Sequence, residues 1–152
     1  MKSVQRVDLA LLILRIGVGL IAMYFGAQKL FSAFGGPGIQ HTISFMQDQF
    51  HIPPPFAVLA IVAEFFGGLG IVVGALTPVA AFGFACTMAV ATFENWKSGD
   101  LLHAIFAKPT PAQQEQAFFS LALFAAAACL MLTGAGQYSL DAKIFKGKRA
   151  KS

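Results

Sequence analysis

The chain has 152 residues, 57% of them hydrophobic and 12% charged, with a mean hydropathy of +0.68. A water-soluble domain carries about 25% charged residues, so this composition excludes a soluble enzyme, a nucleic-acid-binding domain and a disordered chain, and points to a small integral membrane protein. The net charge of +4 agrees, because it gathers at the ends, with Lys143, Lys146, Lys148, Arg149 and Lys151 in the last ten positions and Lys2 and Arg6 near the start.

A helix crosses ~30 Å of hydrocarbon with about 20 residues. The first run of that length is 8–31. Lys2 and Arg6 before it resemble the start of a signal peptide, but the run is too long for a signal core and carries Arg15, so it reads as a retained span. Gly35-Gly36-Pro37-Gly38 ends it. Between Gly38 and His51, Ile39, Ile43, Met46 and Phe50 recur every three or four residues, with Gln40, Ser44, Gln47 and Asp48 on other faces. That pattern predicts a short amphipathic interfacial helix, which either rests on the bilayer or forms a lid over the bundle.

Pro53-Pro54-Pro55 introduces a second span, 56–76, and the short Thr77-Pro78 link makes it an antiparallel hairpin with a third, 79–96. Leu101, Leu102, Ile105 and Phe106 suggest a second interfacial helix before Pro109. A fourth span, 116–133, ends at Gly134-Ala135-Gly136. The fold class is therefore all-α: a transmembrane four-helix bundle occupying 8–141, followed by a basic tail, 142–152. An even number of spans puts both termini on one side. The ends carry seven Lys and Arg, while the 34–55 and 98–114 side has Lys29, Lys97 and Lys108. The positive-inside rule then gives N-in and C-in, in a bacterial inner membrane, with the two interfacial helices outside.

Charged side chains inside a span cost roughly 2.5–3.5 kcal/mol on insertion scales, so they face the bundle interior and have partners. Arg15, Lys29 and Glu64 are the candidates for catalytic or proton-handling groups. Arg15, Gly19, Ala22, Gly26 and Lys29 form one stripe of the first span, with Tyr24 and Gln28 to one side. Ala60, Glu64, Gly67, Gly68, Ile71 and Ala75 form a matching face of the second, with the small residues allowing close approach. Arg15 lies about 10 Å from Glu64 along the membrane normal, within partial reach of its long side chain. Lys29 is nearer the outer surface and is placed to reach Glu64 or Glu94. The functional reading is a ligand-binding pocket in the outer half of the bundle, built from Tyr24, Gln28, Lys29, Glu64, Glu94 and Asn95, with Arg15 below. In the bland alternative, Arg15, Lys29 and Glu94 snorkel to the headgroups and Glu64 is protonated.

Cys86 and Cys129 belong to no Cys-x-x-Cys pair and read as small apolar core residues. His41, His51 and His103 lack metal-ligand spacing, so no metal site is expected. Trp96 and Tyr138 fall at span ends, where aromatic belts lie.

Leu12-Ile13-Leu14-Arg15-Ile16-Gly17, Tyr24-Phe25-Gly26-Ala27-Gln28-Lys29 and Gly35-Gly36-Pro37-Gly38 resemble the opening of the DoxX family of small four-span bacterial membrane proteins. Ala63-Glu64-Phe65-Phe66-Gly67-Gly68 is similar to that family's glutamate and double-glycine signature, and Leu76-Thr77-Pro78 to the turn after it. Gly134-Ala135-Gly136-Gln137-Tyr138-Ser139-Leu140-Asp141 resembles its ending, with Ala135 where proline is more usual. The family takes its name from membrane subunits of a thiosulfate:quinone oxidoreductase, and some members accompany redox or oxidative-stress proteins. The resemblance thus implies an accessory, redox-linked role. It assigns no catalytic residue, because a fold-level likeness is not a site.

Two readings follow. In the first, the pocket binds a small molecule such as a quinone head group, and Glu64 with Lys29 or Arg15 moves a proton or orients the ligand. The sequence has no intrinsic electron carrier, so any oxidoreductase activity uses a diffusible quinone or a soluble or membrane redox partner. In the second, the protein is a non-enzymatic scaffold, or a small transporter or channel subunit, with Arg15–Glu64 as a structural staple. Both readings place it in the lipid bilayer, accommodate a homo-oligomer and need no nucleic acid.

Overall fold

The computed structural model describes residues 2–97, 105–106 and 111–149. It contains the helices α1 (Lys2–Phe31), α2 (Gly38–Phe50), α3 (Pro54–Val73), α4 (Thr77–Lys97), α5 (Pro111–Thr133) and α6 (Leu140–Arg149), with a short 3₁₀ turn at Ala33–Gly35. Four of these helices are long and apolar enough to span a membrane: α1, α3, α4 and α5. They are the four spans expected from hydropathy. Of the second interfacial helix, only Ile105 and Phe106 fall within the described residues, and both are helical and exposed; Leu101 and Leu102 lie outside them.

The local reasons for these boundaries are conventional. Pro54 opens α3 at a position that needs no N–H partner. Gly74 closes it in the left-handed region at φ 71°, with Ala75 N–H bonded to Gly70 O at 2.9 Å. A Cβ at Gly74 would lie 2.5 Å from Ser139 Cβ and 2.9 Å from the Arg15 guanidinium carbon. The Gly74→Ala variant therefore meets both a φ penalty of about 1–3 kcal/mol and a steric clash. It is expected to melt well below the wild type in detergent; an unchanged melting temperature would contradict this account of the turn.

The core is thin and built from small residues. Val18, Ala22, Ile71, Ala81, Phe84, Ala85, Leu123, Ala127 and Leu130 form its buried centre. Large apolar side chains such as Ile13, Leu20, Phe66, Phe82, Phe93 and Leu132 face outward. An outer surface of this kind suits hydrocarbon rather than water. Cys86 and Cys129 are free and exposed on it, so the expectation that they pack in the core is corrected: the interior positions go to alanine and glycine, which let helices approach.

That approach is closest between α1 and α3. A Cβ at Gly26 would fall 2.6 Å from Phe65 N, and one at Gly68 2.8 Å from both Gly19 O and Met23 N. Only glycine fits there, and contact of this intimacy supplies the dispersion attraction that replaces a hydrophobic drive in lipid. The neighbouring Gly67 turns instead toward Ala80 of α4, so the double glycine serves two helix partners rather than one face.

The two ends of the bundle differ. At one end, Asp8 near the start of α1, the α3–α4 turn and the segment from Ala135 to Asp141 converge. Asp8 Oδ1 accepts from Gln137 N–H at 2.9 Å, and the Asp141 carboxylate accepts from Leu76 N–H and Thr77 N–H at 2.8 and 3.0 Å. Asp141 thus caps the N-terminus of α4 from a distant part of the chain. At the other end α2 packs against α3 and α1. Its Ile39, Ile43, Met46 and Phe50 are half-buried, while Gln40, Ser44, Gln47 and Asp48 are exposed, as the periodicity predicts. The basic tail, 142–152, begins within the helix α6.

Candidate functional site

Lys29 and Glu64 meet across the α1–α3 contact. Lys29 Nζ lies 2.6 Å from Glu64 Oε1 and 2.5 Å from Oε2, a two-pronged charge-assisted interaction. Its position follows from the packing: Gly26 brings α1 onto α3, and Lys29, one turn beyond, overhangs the carboxylate. The Glu64 side chain is 4% exposed and that of Lys29 25%. Glu64 is the eleventh residue of the 20-residue α3, roughly 15 Å from either helix end, and Lys29 supplies its counter-charge.

The pair sits in the wall of a cavity of about 1090 Å³ lined by α1, α2, α3 and α4. Gln28 and Lys29 come from α1 and Glu64 from α3, while α2 forms a roof with His41, Thr42, Phe45 and Met46, and Glu94 contributes from α4. Most of the rest is apolar, including Phe56, Leu59, Ala63, Phe82 and Val90. Of the two readings left open for the amphipathic helix, the structure has α2 cover the cavity. Lys29 carries three N–H donors and spends two on Glu64, which leaves one for an acceptor in the cavity.

The predicted site residues divide into three groups. Gln28, Lys29, Glu64 and Glu94 come together around the cavity. Tyr24 and Asn95 do not line it: Tyr24 stacks on Phe34 with ring centroids 5.1 Å apart and meets Phe25 edge-on, and Asn95 donates from Nδ2 to Ser120 Oγ of α5 at 3.1 Å. Arg15 belongs to the opposite end. Its Nε donates to Ile71 O at 3.0 Å, Nη2 to Val72 O at 3.2 Å and Nη1 to Ala135 O at 2.5 Å. The expected Arg15–Glu64 pair is therefore corrected, because the last turn of α3 offers carbonyls at its end, where Ile71 O also accepts from Gly74 N–H at 3.3 Å, and the guanidinium fork binds them together with the loop after α5. Arg15 is 1% exposed and snorkels to neither surface.

A family profile, DoxX, matches residues 10–95. The chain belongs to the DoxX family. The match runs from within α1 to near the end of α4 and so includes Arg15, Lys29, Glu64 and Glu94; no curated protein and no solved structure matches the chain. With its four apolar spans, this DoxX member is a multi-pass integral membrane protein. Sequence reasoning missed the α4 side of the DoxX cavity. There Val79, Phe82, Gly83, Cys86, Thr87, Val90, Ala91 and Glu94 all line the space, and their alternating spacing of three and one, typical of a single helical face, was the available signal.

Proposed function

We propose that this DoxX-family protein binds a lipophilic quinone, with the ring against the Lys29–Glu64 pair, as an accessory subunit of a membrane redox system. The observation that carries the reading is a buried ion pair in the wall of a large, mainly apolar cavity. Such a cavity suits a ligand with an apolar body and few polar atoms, oriented by a few convergent polar groups. A quinone carbonyl accepts the remaining Lys29 N–H. Reduction to the quinol takes two electrons and two protons; Glu64 and Lys29 are placed to pass protons, and a soluble or membrane partner delivers the electrons.

The basic ends favour N-in and C-in in a bacterial inner membrane, with 8–141 as the membrane domain, 142–152 on the cytoplasmic side and the cavity in the outer half. The scaffold alternative draws its support from Arg15, whose hydrogen bonds all go to backbone carbonyls at the end of the bundle away from the cavity.

The test is direct binding of a long-chain benzoquinone to the purified protein in detergent, with lipid quinone assayed in the extract. Wild type is expected to retain quinone, and Lys29→Ala and Glu64→Gln are each expected to weaken binding about tenfold or more, equivalent to about 1.4 kcal/mol. Equal binding by all three proteins would overturn the reading.

A further inference from the structure

The cavity extends well past the ion pair. Its α4 side is one continuous stripe from Glu94 to Val79, 15 residues and so about 22 Å of helix, longer than the ~15 Å of one hydrocarbon leaflet. Polar groups cluster at the α2 end, where His41, Thr42 and Glu94 lie, and the stripe becomes apolar toward Val79. Lining residues of α3 and α4 are well exposed: Leu59 63%, Phe82 58% and Val79 67%. Since these residues belong to spans, the cavity is a groove that opens sideways between α3 and α4, toward lipid. Gly83 lines it midway, and an added Cβ there would meet only Ala63 Cβ, at an ordinary 3.5 Å, so there is room that a larger side chain would fill.

We infer that the groove between α3 and α4 holds the isoprenoid tail of the quinone, so that the ligand enters sideways from the bilayer and tail length determines affinity. This rests on the quinone reading above and specifies the ligand class. A head group alone would use the region under α2 and leave the long α4 stripe uncovered. A tail lying along the stripe exchanges one hydrocarbon contact for another, so its gain comes from packing and from tethering the ring beside Lys29.

Cys86 lies within the groove and is exposed, as is Cys129 elsewhere on the surface, which provides a probe independent of activity. The Cys129→Ser protein in detergent is treated with a lipid-soluble maleimide, and modification of Cys86 is timed with no addition, with a long-tailed benzoquinone, with the same ring bearing only a methyl group, and with a diacyl phospholipid. The long-tailed quinone is expected to slow labelling at least tenfold, and the tailless ring and the phospholipid to leave it nearly unchanged. In Gly83→Leu, the preference for tailed over tailless quinone, measured as a ratio of Kd values, is expected to fall at least tenfold. If the tailed quinone binds but Cys86 stays fully reactive and the ratio is unchanged, the tail assignment is wrong while the ring site stands. Equal protection by the phospholipid overturns the assignment in favour of a general lipid groove. No binding of either quinone overturns both the ring site and the groove.

Discussion

Truncation of Arg15 to alanine is expected to lower the stability of the bundle by on the order of 3–5 kcal/mol. The guanidinium bonds three carbonyls, Ile71 O, Val72 O and Ala135 O; Ile71 O keeps the Gly74 N–H at 3.3 Å, but Val72 O and Ala135 O lose this donor, and a buried acceptor left without one costs about 1–3 kcal/mol. The lost volume adds a cavity beside Gly74 and Ser139, which pack against the side chain and its surroundings. Asp141, which caps α4 through Leu76 and Thr77, would also lose a nearby cation. Arg15→Lys is expected to recover only part of the loss, because one ammonium on a flexible stem does not reproduce the fork that reaches the end of α3 and the loop after α5 at once. Thermal unfolding in detergent followed by helical circular dichroism measures both. An Arg15→Ala protein within 1 kcal/mol of wild type would show that the carbonyl clasp contributes little.

Arg15 also shows where sequence reasoning reached its limit. Its burial and its need for partners were legible from hydropathy and the cost of a charge in a span. Its partner was not, because helix rise gives depth but no azimuth, and the acceptors are backbone carbonyls with no residue signature. The signs that would have pointed to them are Gly74, marking the end of α3, and Gly134-Ala135-Gly136, marking a loop at the same level. For Lys29 the sequence left Glu64 and Glu94 open, and the close α1–α3 contact at Gly26 decides for Glu64.

The four spans and α2 were readable because hydropathy and a 3.6-residue period survive any detail of packing. The site is legible only in part, because the cost of a group in lipid marks the charged and polar residues alone. Tyr24 and Lys29 are five positions apart, about 7.5 Å along the helix and 140° around it, so lying in the same end of the span does not put them on one face. Asn95 follows Glu94 by one residue, about 100° round, and turns to Ser120 of α5. Apart from Thr87 and Glu94, the α4 wall of the groove is made of small and apolar residues that cost nothing in a membrane and so carry no energetic mark in the sequence.

The Lys29–Glu64 pair gives the second large effect, and it separates stability from binding. Lys29→Met leaves a 4%-exposed carboxylate without its counter-charge in the middle of a span, which is expected to cost about 3–5 kcal/mol. Glu64→Leu leaves an ammonium that is a quarter exposed and near a helix end, where its long stem can carry it toward the headgroups, so the loss should be smaller. The double variant Lys29→Met/Glu64→Leu removes both charges and keeps the volume, and buried pairs replaced in this way are often neutral or more stable. Its melting temperature is therefore expected near or above that of wild type, with quinone binding abolished. A double variant as unstable as Lys29→Met would mean that the two residues act through other contacts. A stable double variant that still bound quinone with wild-type affinity would reduce the pair to a helix staple. A stable one that had lost binding would confine the role of the two charges to the ligand, since the bundle would have been shown to stand without them.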